Sequence, residues 1–155
     1  LSMRQHAREL LSARENGLWV WRPENEKMAT LGTPGDHTLG QAAQPAYFVL
    51  RTARLSGDLD LMEEGLQAME QMVRYEVPRG AQMWECPLYQ PDILAAAQAI
   101  RAYCEAYRMT GDEKHLERAR YWAWTGLPFL YTWELDGYPT MRYNVVSVIG
   151  STLMS

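Results

Sequence analysis

The chain has 155 residues, 47% of them hydrophobic and 22% charged, enough for one domain with a real core and too apolar for a disordered segment. Fifteen Lys/Arg against nineteen Asp/Glu leave a net charge of −4 with the signs interspersed, so there is no basic stripe to suit nucleic acid. Apolar runs are too short to span a bilayer, and two cysteines, Cys86 and Cys104, make neither a disulfide framework nor a metal-ligand pattern.

In chain order, an amphipathic pattern predicts an outer helix over about 2–14, followed by a long loop over 15–38. An inner helix is predicted over about 39–55, with Thr38 as its cap and Pro45 as a kink. The turn "LSGDL" then gives Gly57 as a left-handed C-cap and Asp58 as the N-cap of an outer helix over 59–75. That helix shows a stripe of Met62, Gly65, Leu66, Met69, Met72 and Val73, so one face is expected to be buried. A second long loop, 76–91, leads to Asp92 as cap and to an inner helix over 92–109. Alanines and large apolar residues cover most of this helix, leaving Gln98, Arg101, Glu105 and Arg108 as a narrow polar stripe. The turn "MTGDE" repeats the device with Gly111 and Asp112, and an outer helix over 112–124 runs into a third loop, 125–144. His6 and His115 fall on outer helices and are expected at the surface.

The two turns are 54 residues apart, Ser56-Gly57-Asp58 against Thr110-Gly111-Asp112. At the same offset Ala42, Ala43 and Gln44 match Ala96, Ala97 and Gln98, and Arg54 matches Arg108. A period near fifty residues with a helix on each side of a tight turn indicates stacked antiparallel hairpins. Connectivity then places the short turns at one end and the long loops at the other, beside the inner-helix N-termini. That end favours anionic groups and hydroxyl oxygens.

The loops are unusual in content. The first holds Trp19, Trp21 and Arg22, with Asp36 and His37 at its end. The second, "MWECPLYQPD", holds Trp84, Glu85 and Tyr89. The third, "YTWELDGYP", holds Trp133, Glu134, Asp136 and Tyr138. A tryptophan in each hairpin can plug the end of the core, with its indole N–H on a carbonyl. The other reading is a sugar site, where ring faces stack on tryptophan and hydroxyls bond to Asp, Glu, Arg and His.

The segments "ARLSGDLDLMEEGLQAM" and "YRMTGDEKHLERARYWA", together with the apolar inner helices, resemble the six-hairpin glycosidase-like superfamily over most of residues 38–124. The resemblance implies an all-α fold of antiparallel hairpins in an α/α toroid, a ring whose long loops build a carbohydrate cleft. Residues 1–155 would supply about two and a half of its six hairpins as a single domain. This is a partial ring or open arc, expected to be a fragment of a longer chain, completed by the remainder of that chain or by another copy. The resemblance also favours a periplasmic or extracellular location.

Glycoside hydrolysis needs two carboxyl groups, and Glu85, Glu134 and Asp36 are the candidates. Trp84, Tyr89, Trp133, Trp21, His37, Arg142 and Tyr143 are candidates for binding an oligo- or polysaccharide. A uronate-cleaving lyase would instead take its base and carboxylate clamp from His37 and from "MRYN", Met141 to Asn144. A third reading is a helical-repeat module that binds a protein partner. No metal site and no cofactor is expected, because no His/Asp/Glu cluster has ligand spacing. Neither nucleic acid nor membrane is expected as a partner.

Overall fold

The computed structural model describes residues 2–84 and 86–127. Their regular structure is all-helical: α1 (Met3–Ser12), α2 (Glu26–Ala29), α3 (Leu39–Ser56), α4 (Leu59–Met72), α5 (Ile93–Thr110) and α6 (Glu113–Gly126). The short α2 lies inside the first long loop and is capped by Asn25, whose side chain accepts from the Met28 amide.

The repeated turns build the two hairpins. Gly57 and Gly111 both take φ near +67°, and their amides close the ends of α3 and α5 on Ala53 and Tyr107. That left-handed conformation carries a steric penalty for any residue with a Cβ. The next residue starts the following helix: Asp58 Oδ1 accepts from the Leu61 amide at 3.2 Å, and Asp112 Oδ1 from the Lys114 amide at 3.0 Å. Asp58 also receives Arg8 of α1 at 2.9 Å, while Arg4 reaches the Ser56 carbonyl at 2.7 Å. The first helix is thereby tied to the turn end of the first hairpin.

The inner helices α3 and α5 pack against each other. The outer helices α1 and α4 lie on α3, and α6 lies on α5. Alanines at 42, 43, 46 and 53 and at 95, 96, 99, 102 and 106 are all buried. Small side chains on facing helices allow close approach, and Leu39, Leu50, Met69, Met72, Tyr103 and Trp122 fill the remaining space. The expected inner and outer characters hold: α5 buries eight residues, whereas α1 buries Ala7 and α6 buries His115, Ala119 and Trp122.

Three expectations need correction. His115 is not a surface residue; it lies buried beside Tyr103, with ring centroids 6.2 Å apart. The buried face of α4 is turned from the expected stripe, taking in Leu61 and Ala68, while Val73 sits exposed at the C-cap. Thr38 has cap backbone geometry, but its side chain makes no cap hydrogen bond and its hydroxyl is buried without a partner.

Candidate functional site

Long-loop contacts centre on Asp92. Its Oδ1 caps α5 through the Ala95 amide at 2.7 Å, and its Oδ2 accepts from the Ala81 amide at 3.0 Å. Its own amide donates to the Pro78 carbonyl at 2.8 Å, so Asp92, through side chain and backbone, ties the second loop at Pro78 and Ala81 to the start of α5. Burial pushes the Asp92 pKa up, against the pull of amides led by Ala81 and Ala95. The loop then lies on the start of α3: Gly40 donates to the Arg79 carbonyl at 2.8 Å, and Gln41 Nε2 to the Gly80 carbonyl at 2.9 Å. On the other side, α6 holds the loop's first residues, with Arg118 on the Tyr75 carbonyl at 3.1 Å and Tyr121 on that of Glu76 at 2.7 Å.

The first two loops also meet each other. Trp21, Met83 and Leu88 form a small apolar cluster flanked by Met28 and Leu31, and the Leu88 amide donates to Leu31 at 2.7 Å. Trp21 further fixes the end of its own loop, donating to the Asp36 carbonyl at 2.6 Å and accepting from Gly35 at 2.9 Å. This brings Asp36 to Tyr89, whose hydroxyl donates to Asp36 Oδ2 and accepts from the Thr33 amide at 3.1 Å. Next along the chain, His37 Nδ1 lies 3.1 Å from the Tyr75 hydroxyl.

Beside this junction lies a pocket of about 250 Å³, its lining including His37, Arg74, Tyr75, Glu76, Arg79 and Tyr89. Burial, opposed by Arg74, pushes the Tyr75 pKa up to about 12, so at neutral pH it is a hydroxyl rather than a phenolate. The pocket thus offers the carboxylate of Glu76, the imidazole of His37, the hydroxyls of Tyr75 and Tyr89 and the guanidinium groups of Arg74 and Arg79, a set suited to a polyhydroxylated ligand.

Among the candidates named from sequence, Asp36, His37 and Tyr89 come together. Trp84, on the same loop as Tyr89, is 58% exposed, and Tyr89 itself is 44% exposed. Trp21 is only 4% exposed and belongs to the apolar cluster, so its ring face is closed to a ligand. Trp19 plugs the core end, its indole N–H on the Leu10 carbonyl at 2.8 Å. Glu85, Trp133, Glu134, Arg142 and Tyr143 lie outside the described residues. Among the described residues, no three His, Cys, Asp or Glu side chains are grouped to hold a metal ion.

A larger cavity, about 750 Å³, was not anticipated. It opens between α1, the first loop, α3 and α5, and its lining includes Gln44, Tyr47, Phe48, Gln98 and Arg101. A signal existed in the repeat: Gln44 matches Gln98 at the 54-residue offset, and Tyr47 matches Arg101. Polar side chains recur at equivalent places on otherwise apolar inner helices.

Compared with protein-family models, curated proteins and solved structures, the chain matches none.

Proposed function

We propose that the long-loop end binds carbohydrate, in the manner of a glycoside hydrolase of the α/α-toroid kind. The supporting observation is the pair of exposed aromatics, Trp84 and Tyr89, on the second long loop, whose Tyr89 is bonded to the carboxylate of Asp36. An exposed tryptophan face on the loop whose Tyr89 bonds a carboxylate matches what a sugar ring presents, an apolar face edged by hydroxyls. Asp36 is one candidate of the carboxyl pair such chemistry requires, with Glu85 and Glu134 as candidates for the second.

The test is titration of the full chain with neutral oligosaccharides, comparing wild type with Trp84→Ala. At 58% exposure the ring contributes little to the core. Affinity should therefore fall about tenfold, or ~1.4 kcal/mol, while the melting temperature stays within about a degree. A melting temperature that drops with affinity unchanged would make Trp84 a structural residue.

A further inference from the structure

Four observations meet at the larger cavity. First, the guanidinium of Arg101 lies over the Tyr47 ring, its Cζ 4.1 Å from the centroid, and Arg51 donates to the Tyr47 hydroxyl. Second, neither arginine has a carboxylate within 4 Å among the described residues. Arg4, Arg8, Arg14, Arg22, Arg54 and Arg108 each have one, whereas, among the described residues, Arg74, Arg79, Arg118 and Arg120, away from this cavity, likewise do not. Arg101, on the cavity's lining, and Arg51, behind it on Tyr47, thus share an aromatic side chain rather than a carboxylate, which leaves the Arg101 guanidinium open to an external anion.

Third, Gln98 is 9% exposed and gives its Nε2 to Gln44 Oε1 at 3.3 Å, yet its own Oε1 is buried with no hydrogen-bond partner. A buried acceptor left unmatched is costly, and a ligand hydroxyl is the donor that would relieve it. Fourth, Phe48, Pro45 and Leu10 give the cavity an apolar wall, and its volume of about 750 Å³ suits a small ligand.

We propose that this cavity binds a carboxylate-bearing sugar residue of the hexuronate class. Its carboxylate lies against Arg101 on the Arg51 side of Tyr47, and a ring hydroxyl donates to Gln98 Oε1. A planar guanidinium takes a planar carboxylate through two parallel bonds, and an adjacent hydroxyl supplies the missing donor. Inorganic phosphate satisfies the first requirement but has no ring to lie on the apolar wall while a hydroxyl reaches Gln98. Glu24, the carboxylate on the cavity's lining, comes from the first loop and is available to accept from other ring hydroxyls. The Tyr47 hydroxyl reports the same field: burial raises its pKa, but hydrogen bonds from Arg51 and Arg101 outweigh that and bring it below the usual tyrosine value.

The ligand class rests on the carbohydrate reading, but the residues do not overlap with the long-loop pocket. The experiment is a binding titration of the full chain, followed by NMR, with glucuronate, glucose and inorganic phosphate as separate probes. Wild type should bind glucuronate at least tenfold more tightly than either other probe. Arg101→Gln should lose at least tenfold in glucuronate affinity with an unchanged melting temperature, and Trp84→Ala should retain it. Gln98→Leu removes the orphan acceptor, so its melting temperature should hold or rise while glucuronate affinity falls. A purely structural Gln98 would give the opposite pair.

Equal affinity for glucose and glucuronate, or an Arg101→Gln variant that binds like wild type, overturns the inference. Phosphate binding as tightly as glucuronate overturns it as well, reducing the cavity to a plain anion site. If glucuronate fails while neutral oligosaccharides still bind in a Trp84-dependent way, this inference falls and the long-loop reading stands. If no sugar binds, both fall.

Discussion

Arg54 of the first inner helix donates to Glu105 of the second, Nε to Oε2 at 2.6 Å, and joins the two hairpins by charge as well as by packing. Arg108, which the repeat makes the equivalent of Arg54, reaches the same carboxylate at 2.7 Å. One turn of the repeat earlier, the residue matching Glu105 is Arg51, so the first helix has a cation where the second has its acceptor. The carboxylate is 2% exposed, and both guanidinium groups are partly in water.

That geometry predicts an acid-sensitive link. Burial raises the Glu105 pKa, but the hydrogen bonds from Arg54 and Arg108 outweigh it and hold it below the usual glutamate value. A depressed carboxyl pKa stabilises the fold above the unfolded-state value, near 4.5, and the contribution is lost as pH falls through the folded-state value. Glu105→Gln should cost about 1–2 kcal/mol at neutral pH, since both arginines remain solvated when the charge is removed. Urea unfolding at neutral pH and again in acid measures it. The gap between variant and wild type should shrink in acid, and a constant gap would mean that the charge is not what stabilises.

His115 acts in the same direction by a different cause. Burial lowers its pKa first, with Lys114 next, against weaker pulls from Asp112 and Glu70. The unfolded chain therefore takes up a proton near pH 6.5 that the folded chain refuses. Stability from this group is complete above that pH and declines as pH falls below it. His115→Phe keeps an aromatic ring beside Tyr103 and cannot titrate. Its stability should change less than that of wild type between about pH 7 and pH 5.5. Parallel pH profiles for the two proteins would show that His115 is protonated as readily folded as unfolded.

What the sequence disclosed depended on how local the physics is. The Gly-Asp turns, the caps at Asp58, Asp92 and Asp112, and the spans of α3 and α5 are set by neighbours within a few residues, and each was legible. Trp21 was misjudged because its burial is decided by Met83 and Leu88, more than sixty residues on. The pairing of Asp36 with Tyr89 spans 53 residues, and only the meeting of the two loops makes it. His115 carries a polar side chain in an amphipathic pattern, and nothing local says that Tyr103 will cover it. The larger cavity left one trace, the matched Gln44 and Gln98, which looked like ordinary repeat similarity until α3 and α5 were seen side by side.

Gly40 ties the fold to the site. A Cβ there would lie 2.3 Å from the Ala81 nitrogen and 2.4 Å from the Gly80 carbonyl carbon, both backbone atoms of the second loop. Backbone cannot rotate aside as a side-chain tip can, so Gly40→Ala must push the loop off the start of α3. The strain should cost about 1–3 kcal/mol, the usual range for overpacking. It should also loosen the Gly40–Arg79 and Gln41–Gly80 bonds that hold the loop carrying Trp84 and Tyr89. Oligosaccharide affinity at the long-loop end is therefore expected to fall together with the melting temperature. Gly126→Ala is the control. Among the described residues nothing lies within 4 Å of its added Cβ, and alanine at a helical position is worth about 0.5–1 kcal/mol over glycine. It should leave binding unchanged and stability equal or higher. A Gly40→Ala protein as stable as wild type would mean that the loop does not press on α3. One that is destabilised but binds normally would separate that contact from the site.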